Sequence, residues 1–124
     1  MRPASTTLTG AELEVMHVIW GREHATVRDV YEALRKRRKV AYTSVMTVMK
    51  ILEQKGYLKK KQEDRAYVYQ PARPRAQVLR GMVRDFVDRV FQGAATPLLV
   101  HLVEDERLSP DDLAEIRRLL EKAK

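Results

Sequence analysis

Residues 41–70 read AYTSVMTVMKILEQKGYLKKKQEDRAYVYQ, and two different periods meet inside this stretch. Up to Gly56 the period is helical. Val45, Val48, Met49 and Leu52 share one face; Thr43, Thr47, Lys50 and Gln54 fall on the opposite one. Ser44 lies beside that polar face at its N-terminal end, and Lys55-Gly56 is a helix stop. Beyond Gly56, Tyr57-Leu58-Lys59-Lys60-Lys61 and Ala66-Tyr67-Val68-Tyr69-Gln70 flank the polar run Gln62-Glu63-Asp64-Arg65. Aromatic and β-branched flanks around a polar middle predict a β-hairpin with a charged tip. Pro71 and Pro74 close it and mark the one clear internal boundary.

Two more helices precede this stretch. Thr9-Gly10-Ala11-Glu12 forms a capping box, with Leu13, Met16, His17 and Trp20 following at helical spacing and Gly21 placed to end the helix. Thr26 with Asp29 restarts the chain, and Val27, Val30, Tyr31 and Leu34 make the next apolar stripe. The basic run Arg35-Lys36-Arg37-Arg38-Lys39 then complements a helix C-terminus. Helix, helix, helix, hairpin is the order of a winged helix-turn-helix.

After Pro74 the pattern is helical to the end. Leu79, Val83, Phe86, Val87, Val90 and Phe91 form one stripe, closed by Gln92-Gly93. Thr96-Pro97 opens a helix bearing Leu98, Leu99, Leu102 and Val103. Ser109-Pro110-Asp111-Asp112 opens another, with Leu113, Ile116, Leu119 and Leu120 apolar. The fold class is therefore mainly α with a small β-hairpin. Residues 1–72 form a winged-helix domain and residues 73–124 a helical domain. Three short striped helices have little of their own to pack against. A twofold dimer buries Leu79, Val83, Phe86, Val87, Val90, Leu98, Leu99, Leu102, Leu113, Ile116 and Leu120, and presents two recognition helices to a palindromic DNA site. The competing arrangement is an intramolecular three-helix bundle.

Charge supports a nucleic-acid partner. The formal charge is +7, and residues 1–72 hold 14 basic and 8 acidic side chains against 10 and 9 in residues 73–124. Such an excess attracts phosphate backbones. In the helix-turn-helix mode, Thr43, Ser44, Thr47 and Lys50 face the major groove, their hydroxyls reaching phosphates or base edges and their methyls thymine. Lys60, Lys61 and Arg65 on the hairpin reach flanking phosphates or a narrow minor groove. Thr26, Arg28, Tyr42 and Gln54 are secondary candidates for DNA contact, Tyr42 reading first as a core aromatic.

Other functions find less support. A protein-interaction module built on the same winged helix is the alternative to a DNA-binding repressor. No nucleophile–base pair, paired carboxylates or Gly-rich phosphate loop points to an enzyme. The chain has no cysteine, and His17, His24 and His101 lack metal-ligand spacing, so neither a metal nor a cofactor is expected. No small-molecule ligand is evident. Met1 to Thr9 holds one Arg and no apolar h-region, and no run approaches a bilayer span. A cytoplasmic location is the expectation.

The segments Thr9-Gly10-Ala11-Glu12-Leu13-Glu14-Val15-Met16 with Ile19-Trp20, Thr26-Val27-Arg28-Asp29-Val30, Ala41 to Val48, Leu52 to Leu58 and Tyr67-Val68-Tyr69 resemble the penicillinase-repressor family. That family contains the β-lactamase and methicillin-resistance repressors and copper-responsive relatives. The Ala-Tyr-Thr-Ser-Val-Met-Thr-Val run is the more specific signal; Leu-Glu-x-Lys-Gly-Tyr-Leu occurs in many winged helices. The resemblance implies a homodimer that represses by occupying promoter palindromes through Thr43, Ser44, Thr47, Lys50 and Arg65. It also implies a membrane-bound β-lactam sensor system that triggers cleavage at an Asn–Phe bond. The matching position here is His101-Leu102, a departure from that pair. The cysteine motif of the copper-responsive branch has no counterpart in this chain.

Overall fold

Three helices start on reciprocal capping boxes. Thr9 and Glu12 close the N-terminus of α1 (Gly10–Arg22), Thr26 and Asp29 that of α2 (Val27–Arg35). The remaining elements are α3 (Tyr42–Gln54), β1 (Leu58–Glu63), β2 (Ala66–Pro71), α4 (Arg75–Phe91), α5 (Ala95–Glu104) and α6 (Pro110–Lys122), the last capped by Ser109 and Asp112. A cap of this kind stabilises a helix by about 1 kcal/mol, so three of them set helix starts with little help from packing. The structure, a computed structural model, describes residues 8–123. Residues 1–7, most of the stretch examined for a signal peptide, lie outside the described residues.

The chain divides into two compact units, one ending at Val83 and the other beginning at Arg84. The division between these units falls inside α4. The cause is packing: Val78 is buried in the core of the first unit and Met82 packs against it. This division concentrates the charge. The first unit holds 17 basic and 8 acidic side chains, net +9, whereas the second holds 7 and 9, net −2.

The first unit is a winged helix. Its core joins Val15, Met16 and Ile19 of α1, Val30 and Leu34 of α2, and Val45, Met49 and Leu52 of α3 with Tyr57, Leu58 and Tyr69. Burying each large aliphatic side chain stabilises the unit by roughly 1.5–3 kcal/mol, and these groups outweigh every surface pair. The core face of α1 differs from the sequence reading. Val15 and Ile19 are buried, Leu13 and Trp20 pack at the edge, and His17 is exposed. Nor does Gly21 end that helix. The chain continues through Arg22, and Glu23 takes the positive φ of 72° while its N–H donates to the Ile19 carbonyl.

β1 and β2 pair antiparallel from Leu58↔Pro71 to Glu63↔Ala66, leaving only Asp64 and Arg65 as the tip. Asp64 supplies the positive φ, 56°, that a tight hairpin turn needs. A third partner ties the hairpin down: Ala25 and Tyr69 exchange two backbone bonds of 2.9 and 2.8 Å. The hairpin root is therefore anchored to the segment between α1 and α2. At the same root, the Tyr57 carbonyl accepts from the Ala72 N–H at 2.9 Å, and the Arg73 guanidinium lies 4.7 Å from the Tyr57 ring centre.

In the second unit no side chain from Arg84 to Ala123 is buried. α5 begins at Ala95, one residue before Thr96, with no side-chain cap. α4, α5 and α6 make few close approaches to one another; Phe91 and His101 make one, with ring centres 5.9 Å apart. The apolar stripes remain open: Phe86, Val90, Leu99, Leu113 and Leu120 are exposed, Leu120 to 64 %. Val87, Leu98, Leu102 and Ile116 are half-buried. Val100, Val103 and Leu119 are exposed as well and widen the stripes beyond the residues picked from sequence.

Candidate nucleic-acid interface

α3 carries its polar face away from the core. Val45, Met49 and Leu52 turn inward, so Thr43, Thr47, Lys50 and Gln54 point outward, and all four are exposed. The helix starts at Ala41 without a side-chain cap, which leaves its first-turn N–H groups open at the end where recognition helices meet DNA. The Thr47 hydroxyl donates to the Thr43 carbonyl at 3.0 Å. Its proton is thereby committed, and what Thr47 offers outward is a lone pair and a methyl group. Ser44 is exposed but sits further round the helix, lining a cavity with Glu14, Arg38, Val40 and Val48.

Tyr42 is not a core residue. It is 41 % exposed at the first position of α3 and stacks edge-on against Tyr31, ring centres 5.4 Å apart. The Arg35 guanidinium lies 5.9 Å from the Tyr31 ring centre on α2. Two further apolar side chains flank the polar face and were missed in the sequence: Met46, 49 % exposed, and Ile51, 37 % exposed. Both sit about 60–80° from the centre of the outward face, within the arc a groove-bound helix presents. The signal was available, since neither falls on the stripe of Val45, Met49 and Leu52.

Strand alternation separates the lysines of the hairpin. Lys60 pairs with Tyr69 and Lys61 with Val68, so their side chains leave opposite faces of the ribbon. Lys60 turns back onto the protein: its Nζ lies 3.5 Å from a Glu53 carboxylate oxygen and 4.5 Å from the Tyr67 ring centre. Lys61, Lys50 and the tip residue Arg65 are exposed and have no ion-pair partner among the described residues. Arg28 is likewise exposed on α2. Thr26 is held in its capping box, accepting from the Asp29 N–H at 3.0 Å, and keeps its hydroxyl proton and a second lone pair for another partner.

Two ion pairs brace the scaffold behind this surface. Arg38, in the turn before α3, grips Glu14 through Nε and Nη2, at 2.6 Å for the shorter contact. That hydrogen bond holds the Glu14 carboxyl below the usual range against a smaller opposing effect of burial. Lys55, at the end of α3, donates to both oxygens of buried Glu12 at 3.0 and 2.9 Å. The first pair ties the turn before α3 to α1, and the second ties the end of α3 to it.

The profile of the penicillinase repressor family matches residues 8–122. The chain belongs to the penicillinase repressor family. The transcriptional regulator BlaI of Mycobacterium tuberculosis is 38 % identical over 117 residues, covering 93 % of this chain and 83 % of that protein. The methicillin resistance regulatory protein MecI of Mammaliicoccus sciuri is 26 % identical over 115 residues, covering 93 % and 94 %. Among solved structures, the monomeric form of Bacillus licheniformis BlaI in complex with the blaP half-operator is similar to 56 % of this chain. It is 31 % identical, with a TM-score of 0.51 and 85 % of that chain covered.

Elsewhere in this penicillinase-repressor chain, His101 is exposed on α5 with its ring centre 5.9 Å from that of Phe91. The His101-Leu102 bond lies inside the helix, three residues before its end at Glu104. No group of three or more His, Asp or Glu side chains is placed to hold a metal among the described residues. Among them, too, no helix is long and apolar enough to cross a membrane.

Proposed function

We propose that this repressor binds operator DNA as a homodimer and silences β-lactam-resistance or related genes. α3 enters the major groove with Thr43, Thr47, Lys50 and Gln54 toward the bases and phosphates. The wing lays Lys61 and Arg65 along the flanking backbone. The observation that carries this reading is the outward polar face of α3 on a unit of net +9. A repressor 31 % identical to this chain has been solved in complex with its half-operator, which supports the DNA-binding reading. The unburied stripes of α4, α5 and α6, which leave Phe86, Val90, Leu99, Leu113 and Leu120 without cover in one chain, support twofold association. Release by proteolysis at His101-Leu102 requires α5 to open first, because a protease needs an extended substrate and this bond is helical.

The test is fluorescence anisotropy on duplexes selected by the protein from a random pool. Lys50→Ala and Arg65→Ala are each expected to weaken binding and to lower the slope of log affinity against log salt by about 0.9 per lost phosphate contact. Unchanged affinity and slope in both variants would remove α3 and the wing tip from the interface.

A further inference from the structure

One of the two wing lysines named from the sequence, Lys60, is already paired within the protein. Lys60 sits between Glu53, next to last on α3, and Tyr67 on the opposing strand, at 3.5 Å from the carboxylate and 4.5 Å from the ring centre. Its field and that of Glu53 both reach the Tyr69 hydroxyl, whose pKa burial raises; Lys60 acts against that rise and Glu53 with it. The Glu53–Lys60 pair is locally neutral, so the helix and the wing root meet without excess charge. Lys61, one residue on, leaves the other face of the ribbon and has no such partner.

We infer that Glu53 is a positioning residue that withholds Lys60 from DNA and fixes the wing against the recognition helix. The inference rests on the DNA-binding reading above. A half-exposed ion pair alone is weak and easily screened. The aromatic face of Tyr67 adds a second anchor for the same ammonium. A phosphate near the wing root then competes with a carboxylate and a ring for Lys60. Glu53 thereby lowers affinity for every DNA sequence alike and leaves discrimination to the outward face of α3. A repressor that must leave its operator gains a faster exit from such a restraint.

Salt dependence separates this role from simple support of the fold. With a mixed-sequence duplex as probe, Glu53→Gln is expected to raise affinity several-fold and to steepen the salt slope by about 0.9 per protomer, as Lys60 becomes a phosphate ligand. Lys60→Gln is expected to lower the slope by about 0.9 per protomer in the Glu53→Gln background, and by much less in the native one. Equal drops in the two backgrounds would overturn the inference, because Lys60 would then be touching DNA already. So would a Glu53→Gln variant whose slope is unchanged or shallower, which marks a merely structural residue. A native protein that binds no duplex at all defeats the DNA-binding reading itself, an outcome distinct from both.

Discussion

The Lys55 ammonium lies 2.9 Å from a carboxylate oxygen of Glu12, which is buried at the start of α1. The contact joins the first turn of α1 to the end of α3, and Glu12 also accepts from the Thr9 N–H at 2.9 Å. Burial pushes the Glu12 carboxyl up, but the Thr9 bond and the Lys55 charge together outweigh it and hold the group below its ordinary range. A carboxyl depressed in the folded state stabilises fully above its unfolded pKa, and loses that contribution as pH falls through the folded value. Glu12→Gln is expected to destabilise the winged helix at neutral pH by about 2–3 kcal/mol, less than for a fully dry pair because Lys55 keeps contact with water. Urea midpoints of native protein and variant should converge as pH drops below about 4. A constant gap down to acid pH would show that the ionised carboxylate is not what stabilises.

Backbone strain gives a second prediction, with opposite signs at two helix ends. Gly56 has φ of 85°, and a Cβ placed there meets only the tip of Arg73 at 3.6 Å. Gly56→Ala therefore pays for conformation rather than for a clash, and is expected to lower stability by about 1–2 kcal/mol. Glu23 holds φ of 72° with a Cβ. Glu23→Gly is expected to raise stability by up to about 1 kcal/mol as that strain goes. Thermal melts of both variants check the pair, and shifts of the same sign would contradict it.

Much of this architecture was legible in the sequence. Thr9, Thr26 and Ser109 each stand three residues before an acid, and each caps a helix as that spacing demands. The outward face of α3 followed from its period. The Ala25–Tyr69 bridge did not, because a single paired residue between two helices leaves no pattern to read. Gly21 misled because glycine is a common helix end, yet the capping bond went to Glu23 two residues later. Tyr42 misled because aromatic bulk suggests a core, whereas its ring found Tyr31 at the surface. Lys60 and Lys61 were separable all along: adjacent strand residues face opposite ways, and only one of the two could share a side with Glu53.

Thr47 supplies a prediction about base reading. Its hydroxyl proton is spent on the Thr43 carbonyl, so its methyl group is the larger part of what it shows outward. Thr47→Ser is expected to weaken preference for thymine at one position of each half-site by about 1 kcal/mol, while Thr47→Val retains it. Competition between duplexes differing at single base pairs measures this. A loss in Thr47→Val with none in Thr47→Ser would assign the contact to the hydroxyl.

The second unit predicts its own partner. Leu120, 64 % exposed, and Val103, 46 % exposed, carry apolar surface that a lone chain leaves in water. Val103→Asp with Leu120→Asp is expected to shift sedimentation equilibrium from dimer to monomer, with the melting of the winged-helix unit unchanged. Affinity for a palindrome should then fall on the order of 100-fold, as two linked half-sites become independent. A variant that stays dimeric would place the interface elsewhere.

Selection of bound sequences from a random duplex pool tests the central claim most directly. The account predicts an enriched inverted repeat whose half-sites lie about one helical turn, or a multiple of it, apart. A pool that emerges with no enriched sequence, although the protein is folded, would contradict it.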